Sequence, residues 1–146
     1  MYRYVSILAL ITCINLSAQG QVKWEITFNQ DKSKLEFKAI IQHGWHLYAT
    51  HVPYPNEGPL PTIFSFKDNK KYKLIDSILQ QTPIIKYDKN FGIDLAYYEH
   101  ETIFSQKIEL INKNATAVGN INYMTCNDKT CIPFDFPFEI KLNLQD

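Results

Sequence analysis

The 146-residue chain has no excess charge of either sign, with 15 Lys and Arg against 15 Asp and Glu. That balance supplies no electrostatic pull towards nucleic acid or an anionic membrane surface. The chain also lacks a second long apolar run: past its first 18 residues nothing could cross a bilayer, which takes about 20 apolar residues. There is no internal repeat, and no low-complexity tract points to disorder. Four histidines, His43, His46, His51 and His100, show no metal-ligand spacing and default to surface or packing positions. What is present is apolar mass: 45% of residues are hydrophobic and 14% aromatic, enough for a core.

The one early apolar run lies between Val5 and Leu16, behind Arg3 and ahead of the small pair Ser17-Ala18. This order is that of a secretory signal peptide over residues 1–18, cleaved near Ala18. The run is too short for a retained membrane anchor. Lipid modification of Cys13 is the alternative, set aside because Cys13 comes early and follows Thr12. About 128 residues, 19–146, then form one mature domain with a net charge near −1 once Arg3 is lost. It carries two cysteines in an oxidising compartment, where disulfides persist.

Alternation dominates the mature chain. Phe134, Phe136, Phe138, Ile140, Leu142 and Leu144 alternate with polar residues or Pro137, which gives one buried and one wet face. Leu35, Phe37, Ala39 and Ile41 repeat the pattern, and Phe104, Gln106, Ile108 and Leu110 do so more weakly. Val22 to Phe28, Trp45 to Tyr48, Ile63 to Phe66, Tyr72 to Ile78 and Ala117 to Met124 also read as strands. Turn residues separate them at Asn29 to Ser33, His43-Gly44, Lys67 to Lys70 and Asn112 to Asn114, with a long loop at Pro53 to Pro61. Ile75 to Gln81 has the spacing for one helical turn. Seven to nine short strands predict an all-β, immunoglobulin-like antiparallel β-sandwich. Pro137 places the last strand at a sheet edge or at a bulge.

Cys126 and Cys131 flank Asn127 to Thr130, a four-residue loop near the tip of a hairpin. Opposed across the hairpin, their Cα atoms would stand about 5 Å apart, within disulfide range. Closing so small a loop removes only about 2 kcal/mol of unfolded-state entropy, so the bond is a modest staple. Exposed or strained disulfides are the exchange-prone ones, so a redox role is open beside the structural one. Zinc wants four ligands and finds two thiols here. Lys129 would lower a thiol pKa and Asp128 raise it, so local charge does not choose between the readings.

Four blocks resemble the N-terminal periplasmic domain of the DsbD-type thiol:disulfide interchange proteins. They are GWHLY at Gly44 to Tyr48, YDKNFG at Tyr87 to Gly92, YEHETIFSQKIEL at Tyr98 to Leu110, and NYMTCNDKTCIP at Asn122 to Pro133. The last is the most specific, and the resemblance spans nearly the whole mature chain. It implies an immunoglobulin-like domain that passes reducing equivalents through a Cys126-Cys131 disulfide, as a thiol-disulfide oxidoreductase or relay without metal or organic cofactor. By position, Cys131 matches the cysteine that attacks or is attacked by partners, and Cys126 the one that resolves the mixed disulfide. Phe91 falls where the family places an aromatic cap over the sulfurs. Tyr48 and His46 match residues lining the site, the latter often tyrosine, and Asp88 precedes the cap as a proton acceptor or a turn residue.

The chain departs from the family in three places: Phe134 stands where many members have a second proline, Met124-Thr125 replace a smaller, more polar pair, and the inter-cysteine loop is one residue shorter. Full-length members continue into a membrane-spanning carrier and a thioredoxin-like domain, whereas this chain ends at Asp146. The expectation is a stand-alone periplasmic shuttle. Its implied partners are a membrane-embedded electron donor and thioredoxin-like or disulfide-isomerase-like proteins, with no nucleic acid and no stable insertion of the mature chain in a membrane. The rival expectation is a secreted binding module with a purely structural disulfide, using the aromatic residues near Trp45 and Tyr48.

Overall fold

The computed structural model describes residues 20–54 and 56–143; the signal-peptide expectation, Cys13 and Leu144 lie outside them. Among the described residues the alternating segments form ten strands. These are β1 (Val22–Asn29), β2 (Lys34–Ile41), β3 (His46–Tyr48), β4 (Ile63–Phe66), β5 (Tyr72–Gln80), β6 (Ile84–Asp88), β7 (Ile93–Tyr98), β8 (Glu101–Leu110), β9 (Asn114–Cys126) and β10 (Cys131–Asn143). One sheet has the order β1-β2-β8-β5, and the other β10-β9-β3-β7-β6, with β4 also paired to β9. The pairings are antiparallel throughout. The sheets form the expected immunoglobulin-like sandwich.

Aromatic side chains fill the space between the sheets. Trp24 sits 5.5 Å from Tyr123 and 5.9 Å from Phe64, and Phe37 lies 4.9 Å from Phe64 and 5.3 Å from Phe138, between ring centroids. Tilted and edge-on contacts of this kind suit the ring quadrupoles and add to the burial of large apolar surfaces. Gly119 in β9 makes room for this packing, because a Cβ there would meet the Ser65 carbonyl oxygen and the Phe138 ring.

Three expectations need correction or refinement. Residues 75–81 make no helical turn: β5 runs through to Gln80, with its register against β8 shifted between Ile75 and Leu79 and Asp76 at a φ of 59°. A bulge changes which face the side chains take, and this produced the helix-like spacing. Gln106, the polar member of the weak β8 pattern, is buried because its amide donates to the Ile75 and Asp76 carbonyls at that bulge. Pro137 lies on an edge strand, and the β10 register against β9 runs unbroken past it.

Strands β6 and β7 were not anticipated. In β7, Ala96 and Tyr98 enter the main core, while Leu95 and Tyr97 join a second buried cluster with Tyr48 and Cys126. A strand buried on both faces shows no alternation. Strand β6 is mostly exposed, with Ile84, Ile85 and Tyr87 open to solvent, so it has no buried stripe to reveal it.

Candidate functional site

The site lies on the outer face of the β10-β9-β3-β7-β6 sheet, opposite the main core. Along β9, Ile121, Tyr123 and Thr125 point inward, so the period of two turns Met124 and Cys126 outward. Cys126 is directly opposite Cys131 in the ladder, and the two are joined in a disulfide with Cα atoms 4.1 Å apart.

The loop 127–130 explains that spacing. The Asn127 backbone N–H donates to the Thr130 carbonyl oxygen at 2.9 Å, so the next pair outward falls at a non-hydrogen-bonded position, where opposed Cα atoms come closest. The Asn127 side chain orders the turn, its Oδ1 accepting from the backbone N–H groups of Lys129 and Thr130, both at 2.9 Å.

The two sulfurs sit in different surroundings. Cys126 is 4% exposed, packed with Tyr48, Leu95 and Tyr97, with Ile93 and Met124 against the cluster, whereas Cys131 is exposed on the edge strand. Solvent therefore reaches Cys131 far more freely than Cys126.

A cavity of about 370 Å³ opens over the bond, and His46, Tyr48, Asp88 and Phe91 line it together with both cysteines. The structure thus brings together all six residues singled out from the sequence. A larger groove of about 470 Å³ runs along β4, β9 and β10 between Phe66, Gly119 and Phe138, and neither cysteine lines it.

Asp88 is a loop builder. Its Oδ1 accepts from the N–H groups of Asn90 and Phe91, at 2.7 and 3.1 Å, and its carbonyl accepts from Gly92 N–H at 2.8 Å. The turn closes through Gly92 at a φ of 71°, a conformation that glycine adopts without a Cβ penalty. This short loop carries Phe91 to the cavity. The Phe91 ring is 40% exposed, so it is anchored by its backbone more than by packing.

The phenols of the site stay protonated across neutral pH. Burial first, then the Asp88 carboxylate and the neighbouring Tyr97, push the Tyr48 pKa far above its usual value. Burial, followed by Glu99 and Asp88, also raises that of Tyr97. The His46 ring lies tilted against that of Tyr97 with centroids 4.3 Å apart, and its Nε2 lies 3.0 Å from Glu99 Oε1. Glu99 and Tyr97 were not anticipated as site residues. Glu99 lies within the third family-like block, but nothing in its spacing ties it to His46.

Among the described residues no group of three or more His, Cys, Asp or Glu is arranged to hold a metal ion. Among them, too, no helix is long and apolar enough to cross a membrane.

Comparisons with known proteins agree with this fold. The reduced N-terminal domain of Neisseria meningitidis DsbD aligns with a TM-score of 0.62 at 16% identity, covering 88% of this chain and 91% of that one. The complex between the DsbD N-terminal and PilB N-terminal domains of the same organism aligns with a TM-score of 0.59 at 13% identity, covering 81% and 80%. Likenesses at such identities establish the fold alone. No curated protein matches the chain by sequence. The family model described as "Thiol:disulfide interchange protein DsbD, N-terminal" matches residues 15–141. With most of its length matched by that model and its two cysteines joined at the edge of the same fold, this chain belongs to the family of DsbD N-terminal domains.

Proposed function

We propose that the chain is a periplasmic thiol-disulfide relay in which Cys131 exchanges with partner sulfurs and Cys126 resolves the mixed disulfide. The supporting observation is the asymmetry of the bond, one sulfur exposed on an edge strand and the other buried. A partner thiolate attacks Cys131 Sγ, the bond to Cys126 breaks, and a second partner thiol then releases Cys131. Run in reverse, the reduced domain attacks a partner disulfide through Cys131, and Cys126 closes the internal bond.

On this reading Phe91 is the cap. It shields the sulfurs from adventitious oxidants and yields when a partner docks. Residues 1–18 act as the export signal and are removed.

Partners on the oxidised side are thioredoxin-like or disulfide-isomerase-like proteins, and the electrons come from a membrane-embedded donor. The complex of a Neisseria DsbD N-terminal domain with a PilB N-terminal domain supports a protein partner. The rival binding module loses support because Tyr48 is 2% exposed and Trp45 packs against the core, which leaves neither as a free aromatic platform.

The test is the equilibrium reduction potential of the pair, measured by alkylation after equilibration in graded thiol buffers. A value between about −180 and −270 mV is expected; one below about −300 mV would mark a structural bond and refute the relay. In parallel, a Cys126→Ser protein should accumulate mixed disulfides through Cys131.

A further inference from the structure

The rank of side chains that contains the disulfide continues past Cys126. Directly opposed residues of antiparallel strands share a face, with Cβ atoms about 4.5–5.5 Å apart. Cys131 opposes Cys126 across β10 and β9, and Cys126 opposes His46 across β9 and β3. Strands β3 and β7 pair Leu47 with Tyr98 and Tyr48 with Tyr97. Extending that register by one residue sets His46 against Glu99, where the 3.0 Å contact between Nε2 and Oε1 is found. A sulfur pair, an imidazole and a carboxylate therefore stand in one line, from β10 across β9 and β3 to the residue that follows β7, and the imidazole shares the cavity with both sulfurs.

Each end of the imidazole has a separate task in this arrangement. The Nε2 lies 3.0 Å from the carboxylate, and the ring lies tilted against that of Tyr97. A carboxylate on one ring nitrogen fixes the tautomer and the orientation, which leaves Nδ1 as the nitrogen that takes or gives a proton.

We propose that His46 is the proton carrier for the buried Cys126 sulfur, and that Glu99 is the positioning residue that holds it in that role. The proposal rests on the relay reading above. When a partner thiolate attacks Cys131 Sγ, a partner-to-Cys131 bond forms, the Cys126-Cys131 bond breaks, and its electron pair leaves on Cys126 Sγ. The His46 imidazolium gives its proton to that sulfur. The partner's second thiol then displaces Cys131, which leaves with the second proton, and His46 recovers the first from solvent. One disulfide and one dithiol become one dithiol and one disulfide. In the reverse direction His46 accepts the Cys126 proton as that sulfur attacks.

Other charged groups near the cavities that His46 lines come in opposed pairs: Asp128 with Lys129 from the β9-β10 loop, and Asp88 with Lys89 from the β6-β7 loop. Lys86 of β6 and the phenols of Tyr48, Tyr87 and Tyr97 complete the surroundings. Glu99 stands at ion-pair distance and sets the imidazole.

The experiment follows reduction of the oxidised mature chain by dithiothreitol between pH 5 and 9, with each rate divided by the reagent's thiolate fraction. Wild type should lose corrected rate as pH rises. His46→Gln should flatten that profile and slow the corrected rate at pH 6 by about 10-fold or more. Glu99→Gln should slow the rate at pH 6 as well, since the imidazole loses the carboxylate that orients it, while keeping a pH-dependent profile. The His46 ring resonances, followed by NMR, should change over the same pH range as the wild-type rate. Identical corrected profiles in wild type and variants would overturn the proposal and leave the relay intact. Should His46→Gln fail to fold, a Glu99→Gln rate and profile identical to wild type overturns it alone. A wild-type disulfide that does not exchange at any pH would refute the relay reading, and this proposal with it.

Discussion

Reducing the Cys126-Cys131 bond changes no residue and opens no cavity, so its effect on stability follows from the loop it closes. The cysteines are five residues apart in sequence. Closing a loop of six residues removes about 7 cal/mol/K of unfolded-state entropy, or about 2 kcal/mol at 25 °C. After reduction Cys126 remains a small apolar group in an apolar cluster and Cys131 stays in solvent, so neither adds a desolvation cost. Melting followed by far-UV circular dichroism should therefore show the reduced chain unfolding about 8 °C below the oxidised one, at about 4 °C per kcal/mol for a domain of this size. The thermodynamic cycle ties this to a second measurement. The native pair should be harder to reduce than the same pair in the urea-unfolded chain by about 45 mV, since 30 mV corresponds to about 1.4 kcal/mol for two electrons. A stability loss above about 4 kcal/mol, or a native potential that departs from the unfolded one by far more than the melts allow, would show that the fold depends on the bond. Either result would refute the reasoning that separates a labile exchange site from a staple.

Phe91→Ala should speed alkylation of the reduced cysteines several-fold while changing stability by less than about 1 kcal/mol, because the ring is already 40% exposed; equal alkylation rates would remove Phe91 from the site. Gly119→Ala should cost about 1–3 kcal/mol in urea unfolding, since its Cβ meets the Ser65 backbone oxygen and the Phe138 ring, and should leave the disulfide's potential unchanged. Alkaline pH should destabilise the fold. Burial raises the pKa of Tyr98 to about 12 and that of Tyr48 further still, above the unfolded value near 10. The folded chain thus keeps protons that the unfolded chain loses, so this stability is fully present below about pH 10 and declines as pH rises towards 12. At pH 11 each of the two tyrosines should account for about 1 kcal/mol, after discounting for residual solvation, readable as a fall in the urea midpoint between pH 9 and 11.

The strands that face one core and one solvent were legible because a period of two is a local signal: β2, β8 and β10 each bury alternate residues. Strand β7 was not, because IDLAYY serves two buried clusters and so loses its alternation. Strand β5 misled because a bulge shifts its phase part-way along, and the compensating Gln106 looked like a flaw in β8. At the site, Asp88 presented two readings, and the turn it builds is visible only in its bonds to Asn90 and Phe91.

By itself the sequence determined that the chain is a strand-built sandwich and that two cysteines flank a tight hairpin loop, since alternation, turn chemistry and short separations act over a few residues. It also carried the family resemblance that placed His46, Tyr48, Asp88 and Phe91 near them. Only the tertiary structure decided that Cys126 is buried while Cys131 is exposed, because that depends on β3 and β7 covering one side of β9 while β10 stays at the edge. It also decided the meeting of His46 with Glu99, 53 positions further along the chain. Such a pairing is a product of strand register, and register between distant strands is set by the packing of whole sheets.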